Sequence, residues 1–357
     1  MHFELLLNIK YNIYLLYKKK NRMSTKKMEK AGIFMKSMFI TALVLLTVML
    51  SFPLAVLDNK ETKTKIETSA QAKNIVKDTK KASAYDSFRV KHKSNGEIEK
   101  ISAADYVKGV VAGEMPALYE TEALKAQAVA AYTFACRKRD TSKGNDYDIT
   151  DDPNTDQCYI SEETARQKWG DNADEYLKKI SDAVSKVEGY MLTFDGSAAL
   201  TAYHAISSGK TENCADIWGS DLPYLVSVDS SFDKIADNYL TTVQISGDEL
   251  CEKLSGFTQP TGNADGYFTD RKTTSAGTVK SIKFCGKEIS GFDIANALSL
   301  RSANFEVSYN DNTFTFTVYG YGHGLGMSQN GANYMAKQGS SYEEILSHYY
   351  KGCKLKK

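Results

Sequence analysis

The sequence predicts an α+β body behind a single N-terminal membrane span, and three observations lead there. Residues 37–57 form an uncharged run of 21 residues, preceded by residues 1–36, which carry nine Lys/Arg and two Glu, a balance of +7. A run of that length can cross a bilayer, and its basic flank belongs on the cytoplasmic side. After it come helical patterns, then strand patterns, then helical patterns again, without the strand–helix alternation of a parallel sheet. The body, about 270 residues from position 85 onward, is long enough to bury a core and to divide into two lobes around a cleft.

Residues 1–36 are read as a basic cytoplasmic segment, with Met23, Met28 and Met35 as alternative starts, and residues 37–57 as the anchor. The apolar run is long for a signal peptide and ends Pro53-Leu54-Ala55-Val56-Leu57 without a small-x-small cleavage site, which favours an uncleaved span. Residues 58–84 are read as a flexible linker: 58–83 are rich in Lys, Thr, Ala and Glu and hold no aromatic residue. Such a coil reaches roughly 30 Å. Residues 58–357 carry 36 Lys/Arg against 42 Asp/Glu, a balance of −6, and show no basic stripe, which argues against a nucleic-acid partner. The six cysteines form no CxxC pair, so buried unpaired thiols are expected in place of a disulfide framework.

Within the body, strand patterns at 87–93 and 97–101 flank Asn95-Gly96, a hairpin signal. Ser102 and Asp105 cap a helix whose Tyr106, Val107, Val110, Val111 and Glu114 share one face, and Pro116 ends it. A second helix at 122–139 is so rich in alanine that close packing on more than one side is expected. Residues 144–158 read as a solvated Asp-rich loop and 161–188 as helical. Strands and polar turns occupy 191–228, and β-rich segments at 241–245, 279–284, 304–309 and 313–319 alternate with short helices. A helix at 328–338 closes on Gly339, and Ser341 with Glu344 forms a capping box opening a last helix that runs to Gly352.

Three stretches invite chemistry. Glu114 lies on the apolar face of its helix just before a proline break; desolvation there raises a carboxyl pKa and suits a general acid, whereas pairing with Lys125 would make it structural. Tyr203-His204-Ala205-Ile206-Ser207-Ser208-Gly209-Lys210-Thr211 contains Gly-Lys-Thr, but His204 stands where a phosphate loop needs glycine. Ser207 and Lys210 have Ser-x-x-Lys spacing without the partner motifs of an acyltransferase, so a polar turn lining a cleft is the better reading. Gly320-Tyr321-Gly322-His323-Gly324-Leu325-Gly326-Met327-Ser328 lacks the βαβ setting of a dinucleotide site; His323 either bonds substrate or fixes the turn. The Asp-rich loop has Asp151 and Gln157 where a calcium loop needs glycine and glutamate, and His92, His204, His323 and His348 lack metal-ligand spacing.

Together these segments resemble the SpoIID/LytB domain family. The resemblance runs in order through Val110-Val111-Ala112-Gly113-Glu114-Met115-Pro116, Ala123–Ala131, Asp148–Asp152 with Gln157, Thr211–Gly219, Pro223-Tyr224-Leu225, Leu300–Phe305 and the glycine-histidine run, covering residues 85–353. It implies a lytic transglycosylase that cleaves the MurNAc–GlcNAc bond of peptidoglycan to a 1,6-anhydro end, with Glu114 as the acid. Gln127, Tyr203, Ser207, Ser208, Lys210 and His323 are the implied substrate-binding residues. It further implies septal wall remodelling in engulfment, on the outer face of the membrane. The implied substrate is glycan stripped of stem peptides, with an amidase like stage II sporulation protein P and a membrane scaffold like stage II sporulation protein M as partners. The alternatives are a non-catalytic enhancer of a wall amidase and a hydrolase releasing reducing ends. Tyr132 replaces the arginine usual in the family's A-A-R-T-Y, and Ala205–Gly209 replaces S-T-S-G-G. Some relatives hold zinc through Cys and His in the loop after the second helix; here that loop offers only Cys158, so no cofactor is expected.

Overall fold

A computed structural model describes residues 82–357 with the exception of Lys143. The segments expected to be a basic stretch (1–36), an anchor (37–57) and, for nearly all of its length, a linker (58–84) lie outside the described residues. Among those described, no helix is long and apolar enough to cross a membrane. The body starts slightly earlier than position 85: the Ala82 N–H already donates to the Gly196 carbonyl at 2.7 Å.

Strands β1 (Ser87–Lys91) and β2 (Ile98–Ser102) pair antiparallel around the turn that holds Asn95 and Gly96. Ser102 then caps α1 (Ala103–Glu114), its hydroxyl accepting from the Asp105 N–H. Helix α2 (Thr121–Thr141) buries an unbroken run from Ala126 to Thr133, because alanines let α1 and the later helices approach from several sides. Strand β3 (Ile149–Thr150) joins β1 in parallel. Helices α3 (Glu162–Trp169) and α4 (Ala173–Lys186) follow, then β4 (Met191–Phe194), β5 (Ser197–Ala198) and β6 (Tyr203–His204). The short α5 (Cys214–Trp218) ends on left-handed Gly219.

Residues 240–319 carry a second, separate hydrophobic core. Antiparallel sheets β11-β12-β7 and β10-β9-β8 enclose Phe284, Phe305, Phe314, Phe316, Leu250 and Ile294. Their strands are β7 (Leu240–Ser246), β8 (Phe268–Thr273), β9 (Val279–Phe284), β10 (Lys287–Ile289), β11 (Phe305–Asn310) and β12 (Thr313–Tyr319), with helices α6 (Gly247–Leu254) and α7 (Gly291–Ala297). Strand β8 escaped the sequence reading, since its side chains are nearly all exposed and show no apolar alternation. The chain enters and leaves this lobe side by side, the Gly320 N–H donating to the Tyr239 carbonyl at 2.7 Å.

The chain then returns to the first core through β13 (Met327–Ser328), which pairs parallel with β6. Helix α8 (Gln329–Lys337) and helix α9 (Tyr342–Tyr349) follow, α9 opened by the Ser341–Glu344 capping box. The last helix stops at Tyr349, short of Gly352, and β14 (Lys354–Lys356) closes an antiparallel sheet on β4. All six cysteines are free.

The Asp-rich loop is not the solvated loop expected. Asp148 is buried and accepts from the Arg89 backbone N–H at 2.9 Å and from its guanidinium at 2.7 Å. Asp151 accepts from the Lys93 N–H at 2.7 Å and lies 2.9 Å from His92. Asp156 accepts from the Thr150 N–H at 2.8 Å and pairs with Lys138. These carboxylates fasten the loop to β1 and α2, and the tie-down positions the residues that follow, 157–160.

Candidate active site at Glu114

Met115 precedes Pro116 and must be extended, which it is, at φ −123° and ψ 139°. Glu114 is therefore the last residue of α1, facing the ground that the helix would otherwise cover. Behind it, Gly113 one residue back and Gly109 one turn further leave a bare strip along the helix. The loop carrying Cys158, Tyr159 and Ile160 lies in that strip, so close that a side chain at Gly113 would run into the Cys158 carbonyl. The Ile160 N–H donates to the Gly109 carbonyl at 3.2 Å. The same close approach brings the Cys158 N–H to Glu114 Oε1 at 2.7 Å.

The Tyr203 hydroxyl donates to the same Oε1 at 3.2 Å and accepts from the Gln157 amide at 3.0 Å. Gln157 in turn accepts from the buried Tyr106 hydroxyl at 3.1 Å. Tyr203 has one hydroxyl proton and receives Gln157's donor, so that proton is directed at Glu114. Oε1 thus takes two donors, while Oε2 receives none among the described residues. A proton carried by Glu114 belongs on Oε2. Burial raises the carboxyl pKa against the opposing pull of the Cys158 and Tyr203 bonds. Lys125 is engaged elsewhere, 2.5 Å from Glu122, so the salt-bridge alternative for Glu114 is gone. Among the described residues no charged side chain contributes to the shift.

The glycine-histidine run reaches this site through β6. Gly320, Gly322, Gly324 and Gly326 all have positive φ, between 69° and 104°. A Cβ at Gly320 would meet the Ile206 carbonyl, at Gly322 the His204 side chain, at Gly324 Glu212, and at Gly326 the Ala202 carbonyl. The glycines therefore let the run lie against the protein's own segment 202–212. His323 sits within this contact. Its Nδ1 accepts from the Leu325 N–H at 3.0 Å, and its ring packs 5.9 Å from His204 and 5.5 Å from Trp218. Burial and the His204 ring hold its pKa down to about 3, so it is neutral and fixes the turn.

The remaining expected binding residues part company. Gln127 is fully buried on α2, its side-chain oxygen accepting from the Gln329 amide of α8 at 3.4 Å. Ser207 is also buried; its hydroxyl accepts from the Gly209 N–H at 3.1 Å and its N–H donates to Asp233. Ser208 donates to the Ala276 carbonyl at 2.7 Å, and Lys210 is exposed. Tyr132 is buried away from solvent, its hydroxyl bound to the Tyr85 N–H at 2.9 Å and carbonyl at 3.1 Å. An arginine could not keep both bonds. Among the described residues no group of three His, Cys, Asp or Glu is placed to hold a metal ion. Gln157, Tyr106 and the Cys158 amide were not singled out as site groups by sequence reasoning. The paired glycines at 109 and 113 were the available signal.

The sequence model of the SpoIID family, described as stage II sporulation protein, matches residues 91–194, which hold Glu114, Gln157 and Cys158. The stage II sporulation protein D of Bacillus subtilis (strain 168) is 37% identical over 338 residues, covering 90% of this chain and 96% of that protein. The chain belongs to the SpoIID family. The stage II sporulation protein D of Bacillus amyloliquefaciens is 38% identical over 262 residues, 72% of this chain and 75% of that one. A more distant relative, an amidase enhancer of Bacillus subtilis (strain 168), is 28% identical over 303 residues, 70% of this chain and 40% of its own. These relatives support a role in sporulation cell-wall remodelling.

Proposed function

We propose that this chain is a peptidoglycan lytic transglycosylase in which Glu114 is both acid and base, held at the outer face of the membrane by residues 37–57. The observation that carries the reading is the asymmetric carboxyl: Oε1 is locked by two donors, and among the described residues Oε2 has no donor and no second charged group acts on the carboxyl. Protonated Oε2 gives its proton to the glycosidic oxygen between MurNAc and GlcNAc. The carboxylate then takes the proton of the MurNAc C6 hydroxyl as that oxygen closes on C1. A hydrolase needs two carboxylates at a set separation to direct water or hold the sugar. An internal hydroxyl needs only one, and its proximity supplies much of the rate.

Denuded glycan strands incubated with the full-length protein test this. Anhydro-MurNAc ends are expected, falling by at least about a hundredfold in Glu114→Gln, the low end for losing a general acid–base. Full activity in that variant would remove the proposal. The similarity to an amidase enhancer favours one second reading, glycan binding without turnover; in that case strands bind, no ends form, and a wall amidase is stimulated equally by both forms.

A further inference from the structure

Seven residues beyond Tyr203 the chain borders a polar cavity of about 460 Å3 where the two lobes meet. Ser208, Lys210, Ser227, Asp229 and Lys234 line it from the first lobe and Ala276 from the second. Neither lysine side chain has an ion pair or hydrogen bond among the described residues. Asp229, the carboxylate in the wall, accepts from the N–H and hydroxyl of Ser231, at 3.4 and 3.0 Å. Two ammonium groups against one carboxylate leave one positive charge uncompensated.

The lysines are held together by construction. The stem of Lys234 lies on Gly209, where any side chain would strike it. The Ser230 N–H donates to the Gly209 carbonyl at 3.0 Å, and Asp233 accepts from the Ser207 N–H at 2.9 Å and from Asn330 at 3.0 Å. Thus the short helical turn Ser231–Ile235 that carries Lys234 is pinned to the turn that carries Lys210. Like charges kept in one cavity repel unless an anion joins them.

We infer that this cavity is a carboxylate subsite, taking the free lactyl carboxylate of a MurNAc residue of the bound strand. It rests on the glycan reading of Glu114. Seven residues of chain reach at most about 25 Å, so the cavity lies within a few sugars of Tyr203 and its acid. A lactyl group still joined to a stem peptide is a neutral amide, so the site distinguishes stripped from unstripped glycan. The surrounding body works against an anionic strand, since residues 58–357 have a balance of −6. Any preference for free carboxylates must therefore arise locally.

The test uses full-length Glu114→Gln protein and two forms of one denuded glycan, with lactyl carboxylates free or converted to methylamides. Free-carboxylate strands are expected to bind about tenfold tighter, the scale of two partly exposed ion pairs together. Adding Lys210→Met and Lys234→Met abolishes the preference. Equal binding of the two glycans by the parent, or a preference surviving in the double lysine variant, overturns the subsite. If Glu114-dependent anhydro ends still form, the subsite alone falls; if neither glycan binds, it falls together with the glycan reading.

Discussion

Tyr203 holds Glu114 by a single proton, and the direction of that bond has a measurable consequence. A donor to the carboxylate stabilises the charged form and lowers the pKa, opposing the upward push of burial. Tyr203→Phe keeps the ring and removes the donor, so the Glu114 pKa rises. A general acid works protonated, and its activity falls as pH climbs through its pKa. The alkaline limb of kcat/KM is therefore expected to move to higher pH in Tyr203→Phe, together with a loss of rate from a looser carboxyl. An unmoved limb would show that the hydroxyl does not act on Glu114. That the Glu114 carboxyl is desolvated was legible in the sequence, because Val110 and Val111 stand one turn back on the same face of its helix. Its partners were not, since Cys158 lies 44 and Tyr203 89 positions away.

At the scale of elements, α1 works through what it lacks. Gly109 and Gly113 lower helix propensity, yet they open the strip that receives residues 158–160. Gly113→Ala puts a methyl group into the Cys158 carbonyl and pushes the loop outward. Overpacking of this kind costs about 1–3 kcal/mol. The expected outcome is a lower melting temperature and a large fall in anhydro-end formation, since the loop carries both the Cys158 N–H and Gln157. An alanine variant with full activity would mean the loop does not set the carboxyl. The element boundaries themselves were largely readable: the Ser102 cap, the Ser341–Glu344 box and the alternation of Phe314, Phe316 and Val318 depend on near neighbours. The Asp-rich loop was misread because its partners, Arg89, Lys93 and Lys138, lie in other elements.

In the whole molecule, Glu212 stands where both lobes and the glycine-histidine run converge. It is buried, its N–H donates to the Gly324 carbonyl at 2.8 Å, and its Oε1 accepts from Thr274 of the second lobe at 2.8 Å. Burial raises its pKa above the ordinary 4.5. A carboxyl with a raised folded pKa contributes its stability below the unfolded value and loses it as pH rises through the folded one. Glu212→Gln keeps an acceptor for Thr274 and removes the buried charge. The variant is expected to melt higher than the parent at about pH 8, with the difference shrinking towards about pH 4. A difference independent of pH would rule out ionisation of Glu212 as the cause.

By itself the sequence determined the local events: where helices are capped, that Gly339 closes α8, which strands alternate, and that Glu114 is desolvated. Each follows from residues within a turn or two of one another. Only the tertiary structure decided which groups meet. It put two donors on one oxygen of Glu114, turned the glycine run inward onto segment 202–212, buried Gln127 and set Lys234 beside Lys210. These outcomes depend on one backbone packing against another, and a chain read residue by residue does not carry the distance between two of its own distant segments.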